Sequence, residues 1–482
     1  MKSGATHVPC PLRVAASASP RAPAVACAGG TLTYGALDGR VEAAARRIEA
    51  LGLGRGARVA LYLPKDERYL VLLLALIRAG CVACPLSTRL PPRGVESLLR
   101  AAACGALISS DEDLLEPTVA DVRKLSPHQV LLEDEPAEGS WQPSAPPDLA
   151  LDLPATIIFT SGSTGSPKAA LHTLGNHYYS ALGSNANIPL APGDRWLHSL
   201  PLYHVGGLAI LFRCLLAGAT VALPEPGATL GGAIAGSTHV SLVSTQLLRL
   251  LREEDLDPAG LRAILLGGSS IQPPLIDEAL SHGLPIHTSY GLTEMASQVT
   301  ATPPGASREE LHTSGRPLPH REISTSEDGE ILVRGETLFM GYVEGGGADL
   351  ALDAEGWFHT GDLGELGADG YLRVRGRKDN LIVSGGENIQ PEEIEEALCR
   401  IEGVEDAVVV PVPDAEFGYR PVAFVRGGSL RDLSRSLEPV LPRFKIPVAF
   451  HRWPEEVEGM KVDRALFGER ARRLHRGAPD ST

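Results

Sequence analysis

Residues 155–168 hold the strongest local signal in the chain, Ala155-Thr-Ile-Ile-Phe-Thr160 followed by Ser161-Gly-Ser-Thr-Gly-Ser-Pro-Lys168. The apolar run predicts a buried β-strand, and a loop of glycines and small hydroxyl residues follows it directly. Glycines let backbone N–H groups approach phosphate oxygens, hydroxyls add donors, and Lys168 adds a positive charge. The pattern favours a phosphate-binding loop over a Ser/Gly linker. It is not a GxxxxGK[ST] loop, because Gly165 is followed by Ser-Pro-Lys.

Strand-like and helix-like runs alternate on the N-terminal side of this stretch, which predicts a parallel sheet covered by helices. Residues 133–153 are rich in Pro, Glu, Asp and Ser and predict a surface connection. Short strands with glycine turns over 329–377 predict a small β unit, and the last hundred residues predict an α+β unit. The predicted strands are 58–63, 81–86, 155–160, 285–288, 406–412 and 421–426, and the predicted helices are 66–80, 92–104, 391–401 and 430–441.

The composition of the chain excludes several classes of partner and compartment. The 482 residues carry 44 Lys and Arg against 59 Asp and Glu, a net charge of −15, which argues against a nucleic-acid partner. The apolar runs are far shorter than the roughly 20 residues of a membrane span, so no membrane partner is expected. No secretory signal is visible, and the seven cysteines are an odd number. We therefore expect a cytoplasmic protein with free thiols, two to four packed units, and Cys81 and Cys84 as packing residues.

The phosphate-loop stretch resembles the signature of the adenylate-forming enzymes, the superfamily of acyl-CoA synthetases, peptide-synthetase adenylation domains and beetle luciferases. Further motifs follow in that superfamily's order, at 201–207 (PLYHVGG), 266–270 (LGGSS), 289–294 (SYGLTE), 329–335 (GEILVRG), 340–342 (MGY), 357–364 (WFHTGDLG), 376–382 (GRKDNLI) and 384–388 (SGGEN). The resemblance covers essentially the whole chain. It implies an α/β fold with a large N-terminal domain (1–376) of stacked α/β sheets plus a small β-barrel unit. A hinge (377–379) and a small mobile C-terminal α+β cap domain (380–482) follow.

The resemblance also implies the nucleotide site. Glu294 and Thr164 are expected to bind Mg²⁺, and Asp362 and Arg377 to reach the ribose of ATP. Tyr290 is expected to pack on the adenine. The full nucleotide-binding set is Thr160, Ser161, Gly162, Ser163, Thr164, Gly165, Lys168, Gly268, Ser269, Ser270, Ser289, Tyr290, Gly291, Thr293, Asp362 and Arg377.

Four further groups of residues complete the implied site. The catalytic residues are Lys461, Glu294, Thr164 and His204; Lys461 is expected at the α-phosphate, although Met460 stands where the superfamily usually has Gly. The acyl-substrate residues are His204, Arg213, Gly267 and Ser297. The coenzyme A residues are Ser384, Gly385 and Gly386, and the hinge residue is Asp379.

The implied reaction is an AMP-forming acid–thiol ligation with ATP, Mg²⁺ and coenzyme A. A carboxylic acid is first adenylated, and the thiol of coenzyme A then takes the acyl group. Residues 290–300 (YGLTEMASQVT) resemble the o-succinylbenzoate–CoA ligases of menaquinone biosynthesis. Arg213 is then expected to pair with a second, aromatic carboxylate. The alternatives are an aryl-CoA ligase for benzoates or cinnamates, another acyl-CoA synthetase, or a carrier-protein-loading adenylation enzyme. The sequence is also compatible with a homodimer.

Overall fold

Short strands alternating with helices make up most of the chain in a computed structural model. It describes residues 6–110, 122–131, 145, 147–160, 167–253, 258–268, 271–344, 347–385, 387–414, 416–454 and 464–476. The strands are β1 (His7–Pro9), β2 (Pro23–Cys27), β3 (Gly30–Thr33), β4 (Arg58–Tyr62), β5 (Val82–Pro85), β6 (Ala106–Ser109), β7 (Arg123–Leu125), β8 (Asp148–Ala150), β9 (Pro154–Thr160), β10 (Lys168–Thr173), β11 (Arg195–Leu197), β12 (Thr220–Ala222), β13 (His239–Leu242), β14 (Ala263–Leu266), β15 (Ile286–Leu292), β16 (Ser297–Ala301), β17 (Arg316–Pro317), β18 (Arg321–Thr325), β19 (Glu330–Gly335), β20 (Gly341–Glu344), β21 (Gly347–Asp349), β22 (Phe358–Leu366), β23 (Leu372–Arg377), β24 (Ile382–Ser384), β25 (Glu387–Ile389), β26 (Val404–Asp414), β27 (Gly418–Gly427) and β28 (Ala449–Arg452).

The helices differ widely in length. They are α1 (Pro11–Ala18), α2 (Tyr34–Ala50), α3 (Glu67–Arg78), α4 (Pro92–Ala101), α5 (Pro127–Val130), α6 (Leu174–Asn187), α7 (Val205–Ala217), α8 (Leu230–Ile234), α9 (Ser244–Leu250), α10 (Pro273–Ser281), α11 (Arg308–Leu311), α12 (Pro391–Cys399), α13 (Leu433–Leu437) and α14 (Arg464–Arg476). Short 3₁₀ turns lie at Thr293–Met295, Lys378–Asn380 and Arg443–Lys445.

Two large sheets build the N-terminal domain. One has eight strands in the order β21-β20-β10-β9-β5-β4-β6-β7, and the other has nine in the order β17-β16-β15-β14-β13-β11-β12-β2-β3. The central strands of each are parallel, as βαβ crossovers require. Antiparallel pairs form three of the four edges, and β7 pairs with β6 in parallel at the fourth. The predicted α/β class with a large and a small domain is confirmed.

Helices packed between the two sheets form the core. In α3 every residue from Tyr69 to Ile77 is buried, and ten residues of α7 are buried. A helix that is apolar on all sides has to be covered on all sides. Both helices belong to one continuous apolar cluster that also includes strands of both sheets, so the sheets share a single core.

A buried ion-pair cluster joins three helices of this core. Asp38 of α2 is fully buried and accepts hydrogen bonds from Arg13 of α1 and from Arg78 at the end of α3. The Arg78 Nη2 to Asp38 Oδ1 distance is 2.7 Å. Because each charge is desolvated, the cluster is stable only while all its partners are present.

The β unit predicted over 329–377 corresponds in part to the antiparallel sheet β18-β19-β22-β23, which begins earlier, at Arg321, whereas β20 and β21 pair into the eight-stranded sheet. The C-terminal domain has a five-stranded sheet in which β28 pairs with β27, with α12 and α14 packed on it. The predicted helix at 430–441 is shorter than expected, because α13 spans only Leu433–Leu437. The predicted connection at 133–153 contains β8, which pairs with β1.

All seven cysteines are free thiols, and all except Cys27 are buried. Burial raises the pKa of Cys81 to about 11 and that of Cys399 to about 12. A thiol that stays protonated in an apolar environment is inert, so their role is packing. Within the residues that the structure describes, no helix has the length and apolarity to cross a membrane.

Candidate active site

The predicted phosphate loop connects two paired strands. Thr160 ends β9, Lys168 begins β10, and the two residues are direct partners in this antiparallel ladder. The loop therefore leaves and re-enters the sheet at one point, with the exposed Lys168 beside it. Residues 161–166, which include Ser161, Gly162, Ser163, Thr164 and Gly165, lie outside the described residues.

The strand before Glu294 is longer than predicted. β15 continues to Leu292 instead of ending at residue 288, because 289–292 pair with β16 in an antiparallel hairpin. Gly291 is required there, since a Cβ would lie 2.3 Å from the Ser297 carbonyl oxygen. The chain then makes the 3₁₀ turn Thr293–Met295, and Glu294 lies in that turn and not in an open loop.

Two hydrogen bonds fix this turn. The His172 Nε2 atom lies 2.7 Å from the Thr293 carbonyl oxygen, and the Phe339 N–H donates to the Glu294 carbonyl at 2.8 Å. Burial lowers the pKa of His172 to about 4, so the imidazole is neutral and its Nε2 carries the proton that it donates.

Glu294 and Lys168 lie on either side of Tyr342. The Tyr342 hydroxyl donates to Glu294 Oε1 at 2.5 Å, and Lys168 Nζ lies 5.0 Å from the Tyr342 ring centroid. Burial and the Glu294 carboxylate raise the pKa of Tyr342, so it stays a donor. The half-buried Glu294 offers hard oxygen ligands next to a cation. Among the described residues no three His, Cys, Asp or Glu side chains cluster as metal ligands.

Asp362 is held from two sides. The Tyr290 hydroxyl donates to its Oδ2 atom at 2.6 Å, and Arg377 Nη1 donates to its Oδ1 atom at 2.9 Å. Asp362 and Arg377 are direct partners in the β22–β23 ladder. Burial raises the pKa of Tyr290 well above its usual value, and Asp362 raises it further. Burial alone would lower the pKa of Arg377, and the Asp362 charge raises it overall. The structure thus brings three predicted nucleotide residues together.

The end of β14 lies beside β15. The Ser289 hydroxyl donates to the Leu266 carbonyl at 2.7 Å, and a Cβ on Gly267 would lie 2.7 Å from that hydroxyl oxygen. Gly268 has φ +81°, a conformation that glycine adopts without strain. Ser269 and Ser270 lie outside the described residues.

The predicted acyl-pocket residues His204 and Arg213 lie just before α7 and within it. His204 precedes the helix, is exposed, and has its ring 4.7 Å from that of Tyr203. Arg213 is nine positions along, about 13 Å at the rise of an α-helix. It is 1% exposed and lies over the Trp196 ring at 5.1 Å. Its Nη2 atom donates to Gln298 Oε1 at 2.8 Å and to Ser297 Oγ at 3.3 Å. Arg213 and Ser297 are therefore neighbours, and their role in the acyl-substrate site stays a prediction.

The remaining predicted residues belong to the hinge and the small domain. Asp379 lies exposed in the 3₁₀ turn Lys378–Asn380, 3.5 Å from Arg377. Ser384 is buried at the end of β24, and Gly385 has φ +58° and donates its N–H to the Phe417 carbonyl. Gly386 and Lys461 lie outside the described residues.

Sequence reasoning assigned no role to three side chains that support the site, Tyr342, His172 and Glu330. Glu330 is 6% exposed, accepts the Gly361 N–H at 2.8 Å, and pairs with Lys378 at 3.0 Å, so it links the Asp362 strand to the predicted hinge. Tyr342 had a signal, since it closes the MGY motif. Glu330 lies in the GEILVRG motif, which marks the segment and not the role of this side chain, and His172 had no signal, because a lone His in a strand has no distinctive pattern.

The family was established by comparison with known proteins. Residues 12–343 match the model of the AMP-binding enzymes, and residues 393–458 match that of the AMP-binding enzyme C-terminal domain. The chain belongs to the AMP-binding enzyme family. The predicted membership of the adenylate-forming enzymes is thereby confirmed.

The chain is similar to individual members of the AMP-binding enzyme family over more than nine-tenths of its length. The chain is 38% identical to the 2-succinylbenzoate–CoA ligase of Salmonella typhimurium over 453 residues, covering 92% of this chain and 94% of that protein. It superposes on the o-succinylbenzoate CoA synthetase (MenE) of Bacillus subtilis in complex with the acyl-adenylate intermediate OSB-AMP with a TM-score of 0.84, at 31% identity, covering 95% and 96% of the two chains. The same synthetase in complex with ATP and magnesium ion gives a TM-score of 0.82 at 31% identity, covering 93% and 96%.

Proposed function

We propose that this chain is an ATP-dependent 2-succinylbenzoate–CoA ligase, an AMP-forming acyl-CoA synthetase of menaquinone biosynthesis. The observation that carries the proposal is the match to 2-succinylbenzoate–CoA ligases over nine-tenths of both chains. Two features of the structure support it: Tyr290, Asp362 and Arg377 lie together, and Arg213 is a buried cation to which we expect a second carboxylate to bind.

In the first half-reaction a carboxylate oxygen of the acid attacks the α-phosphate of ATP, and pyrophosphate leaves. Asp362 and Arg377 bind the ribose in this proposal, and the backbone of the Thr293 turn lies at the α-phosphate. Lys168 and Lys461 compensate the negative charge that builds up as the bond forms.

Magnesium fits Glu294, whose half-buried carboxylate is held by the Tyr342 hydroxyl on the surface that includes Lys168. Thr164 is the proposed second ligand. A bound Mg²⁺ would neutralise phosphate charge, and it usually binds one or two carboxylates together with phosphates and waters. One carboxylate in the described site agrees with that mode.

In the second half-reaction the coenzyme A thiol attacks the acyl carbonyl, and AMP leaves. The small domain turns about Asp379, which withdraws Lys461 and brings Ser384, Gly385 and Gly386 to the site. Phosphate is already a good leaving group in the mixed anhydride, so the chain needs no nucleophile of its own. The exposed His204 at the start of α7 is the proposed gate of the acyl pocket.

Substrate choice tests the proposal directly. Pyrophosphate exchange with 2-succinylbenzoate is expected to be faster than with benzoate, cinnamate, octanoate or amino acids, and coenzyme A should then give the thioester. Faster exchange with benzoate or cinnamate would indicate the aryl-CoA alternative. Thioester formation only on a carrier protein would indicate a loading enzyme. Lys461→Ala is expected to lower exchange at least 100-fold, and Lys445→Ala, which removes an ion pair with Glu393, is the matched control.

The compartment and the oligomeric state of the enzyme also belong to this proposal. The enzyme acts in the cytoplasm, where ATP and coenzyme A are available and its thiols stay reduced. A homodimer is tested by measuring the molecular mass of the enzyme in solution.

A further inference from the structure

Gln298 lies at the centre of a buried polar network that includes Arg213, a predicted acyl-substrate residue. Its side chain is on β16 and the residue is 3% exposed. The Oε1 atom accepts two hydrogen bonds, from Ser184 Oγ of α6 at 2.8 Å and from Arg213 Nη2 of α7 at 2.8 Å. One amide oxygen therefore joins two helices to the β15–β16 hairpin.

The chemistry of the partners fixes the orientation of this amide. A guanidinium can only donate hydrogen bonds, so the oxygen of Gln298 has to face Arg213. The Nε2 group is then directed away from Arg213. Both Gln298 Nε2 and Arg213 Nε are buried without a hydrogen-bond partner among the described residues. Each of the two side chains therefore keeps one buried donor for which the described part of the chain supplies no acceptor.

The network is positively charged. Within the described ranges neither Arg213 nor Arg321 forms an ion pair with a carboxylate, although both are buried. Arg321 donates to the backbone carbonyls of Gln298 and, at 3.2 Å, of Ser180. Burial lowers the pKa of Arg213 to about 10. Burial, followed by the charge of Arg213, lowers that of Arg321 to about 9. Both remain charged at neutral pH and are paired only with neutral groups.

The backbone at this point is strained. Ala296 has φ +52° and Ser297 has φ +116°, both in the region that side chains disfavour. The Ser180 hydroxyl holds the Ala296 carbonyl at 2.7 Å. Strain that neighbouring groups maintain is typical of functional sites, because it persists only where the surroundings impose it.

We propose that Gln298, held by Ser184, is a positioning residue that orients Arg213 without neutralising it, so that the guanidinium recognises the second, aromatic carboxylate of a dicarboxylic acid. This inference rests on the proposed function and deepens it. A neutral amide satisfies one guanidinium N–H and leaves the positive charge for the substrate. A glutamate of the same size would form an internal ion pair and compete with the substrate carboxylate.

The test compares two acids in pyrophosphate exchange. One is 2-succinylbenzoate, and the other is 4-oxo-4-phenylbutyrate, the same molecule without the aromatic carboxylate. Gln298→Glu is expected to raise the KM for 2-succinylbenzoate by about 10- to 100-fold. The KM for 4-oxo-4-phenylbutyrate and the KM for ATP should stay within about threefold, as should kcat with either acid at saturation. A merely structural role would change both acids alike, and that result overturns the inference.

Ser184→Ala is the milder variant and decides the question if Gln298→Glu does not fold. It is expected to raise the KM for 2-succinylbenzoate about three- to tenfold, and a wild-type KM overturns the inference. Asn187→Ala is the matched control, because Asn187 also joins α6 to the strand region, at the Thr302 carbonyl, without touching Arg213. An equal effect of Asn187→Ala contradicts the proposal. If the wild-type enzyme does not use 2-succinylbenzoate, the proposed function itself is overturned. If the wild-type enzyme uses it and Gln298→Glu changes the KM for both acids alike, only this inference is overturned.

Discussion

Asp362 has each of its oxygens oriented by a different neighbour. Tyr290 donates to one and Arg377 to the other, at 2.6 and 2.9 Å. Each carboxylate oxygen has two lone pairs, so among the described residues one lone pair of each oxygen is left for a ribose hydroxyl. The carboxylate thus has a fixed orientation before ATP binds, which reduces the entropic cost of binding.

Removing one of these donors tests the ribose assignment. Tyr290→Phe is expected to raise the KM for ATP about tenfold, because a hydrogen bond to a charged group contributes about 1.5 kcal/mol. Tyr371→Phe is the control, since Tyr371 donates to Glu310 outside the site. The measurement is pyrophosphate exchange at varied ATP concentration. A wild-type KM in Tyr290→Phe, or an equal change in both variants, would contradict the assignment.

Single residues of the site could be predicted only where a motif marks them. Glu294, Asp362 and Arg377 stand in Gly- and Thr-rich stretches with a fixed order. The bond of Tyr290 to Asp362 could not be predicted, because 72 positions separate them and only the fold brings them together. The same holds for Gln298 and Ser184.

Among the elements, the β15–β16 hairpin decides the geometry of the site. It extends the strand to Leu292, presents Tyr290 to Asp362, and positions Glu294 in the following turn. The sequence predicted only a short strand at 285–288, since the following SYGLT segment is polar and contains glycine. Pairing with β16 overrode this weak local preference. Strands with continuous apolar runs, such as 155–160, were predicted within a residue of their ends.

The junction of α1, α2 and α3 depends on Asp38. Asp38→Asn is expected to lower the free energy of unfolding by about 3 kcal/mol, because Arg13 and Arg78 lose their fully buried counter-charge and keep only the partly exposed Glu42. Urea denaturation measures this difference. Glu322→Gln is the control, since its ion pair with Arg334 is solvent-exposed and contributes about 0–1 kcal/mol. Equal losses in the two variants would rule out the buried-charge explanation.

In the whole molecule, the large and the small domain are expected to contribute residues to the same reaction. The predicted boundary at 377–379 falls where β23 ends and the 3₁₀ turn begins. Lys378 in that turn pairs with Asp328 at 2.7 Å and with Glu330 at 3.0 Å, so residues of the large domain hold the first half of the predicted hinge. The backbone after it is where we expect the rotation to occur.

Asp379→Pro tests the rotation. Proline fixes φ near −65°, which suits a 3₁₀ turn but prevents the change that rotation requires. We expect one half-reaction to fall more than tenfold and the other to stay within about threefold, when pyrophosphate exchange and thioester formation are measured separately. Asp379→Ala, which leaves the backbone free, should retain both. Equal loss of both half-reactions in Asp379→Pro would exclude residue 379 as the hinge.

The two-domain plan and the family could be predicted because their motifs are spread along the whole chain. The relative position of the domains could not, since it depends on contacts between distant surfaces, such as Arg252 with Glu405 at 2.9 Å. Those contacts involve exposed charged residues with no local signature.

The uneven burial of the cysteines makes the native chain suited to site-specific labelling. A maleimide dye should attach at Cys27, on the β2–β3 hairpin, well before it reaches the six buried thiols. One further cysteine on an exposed position of the small domain would provide the second dye of an energy-transfer pair. The closing and opening of the enzyme could then be followed in single molecules, turnover by turnover, without first removing any native cysteine.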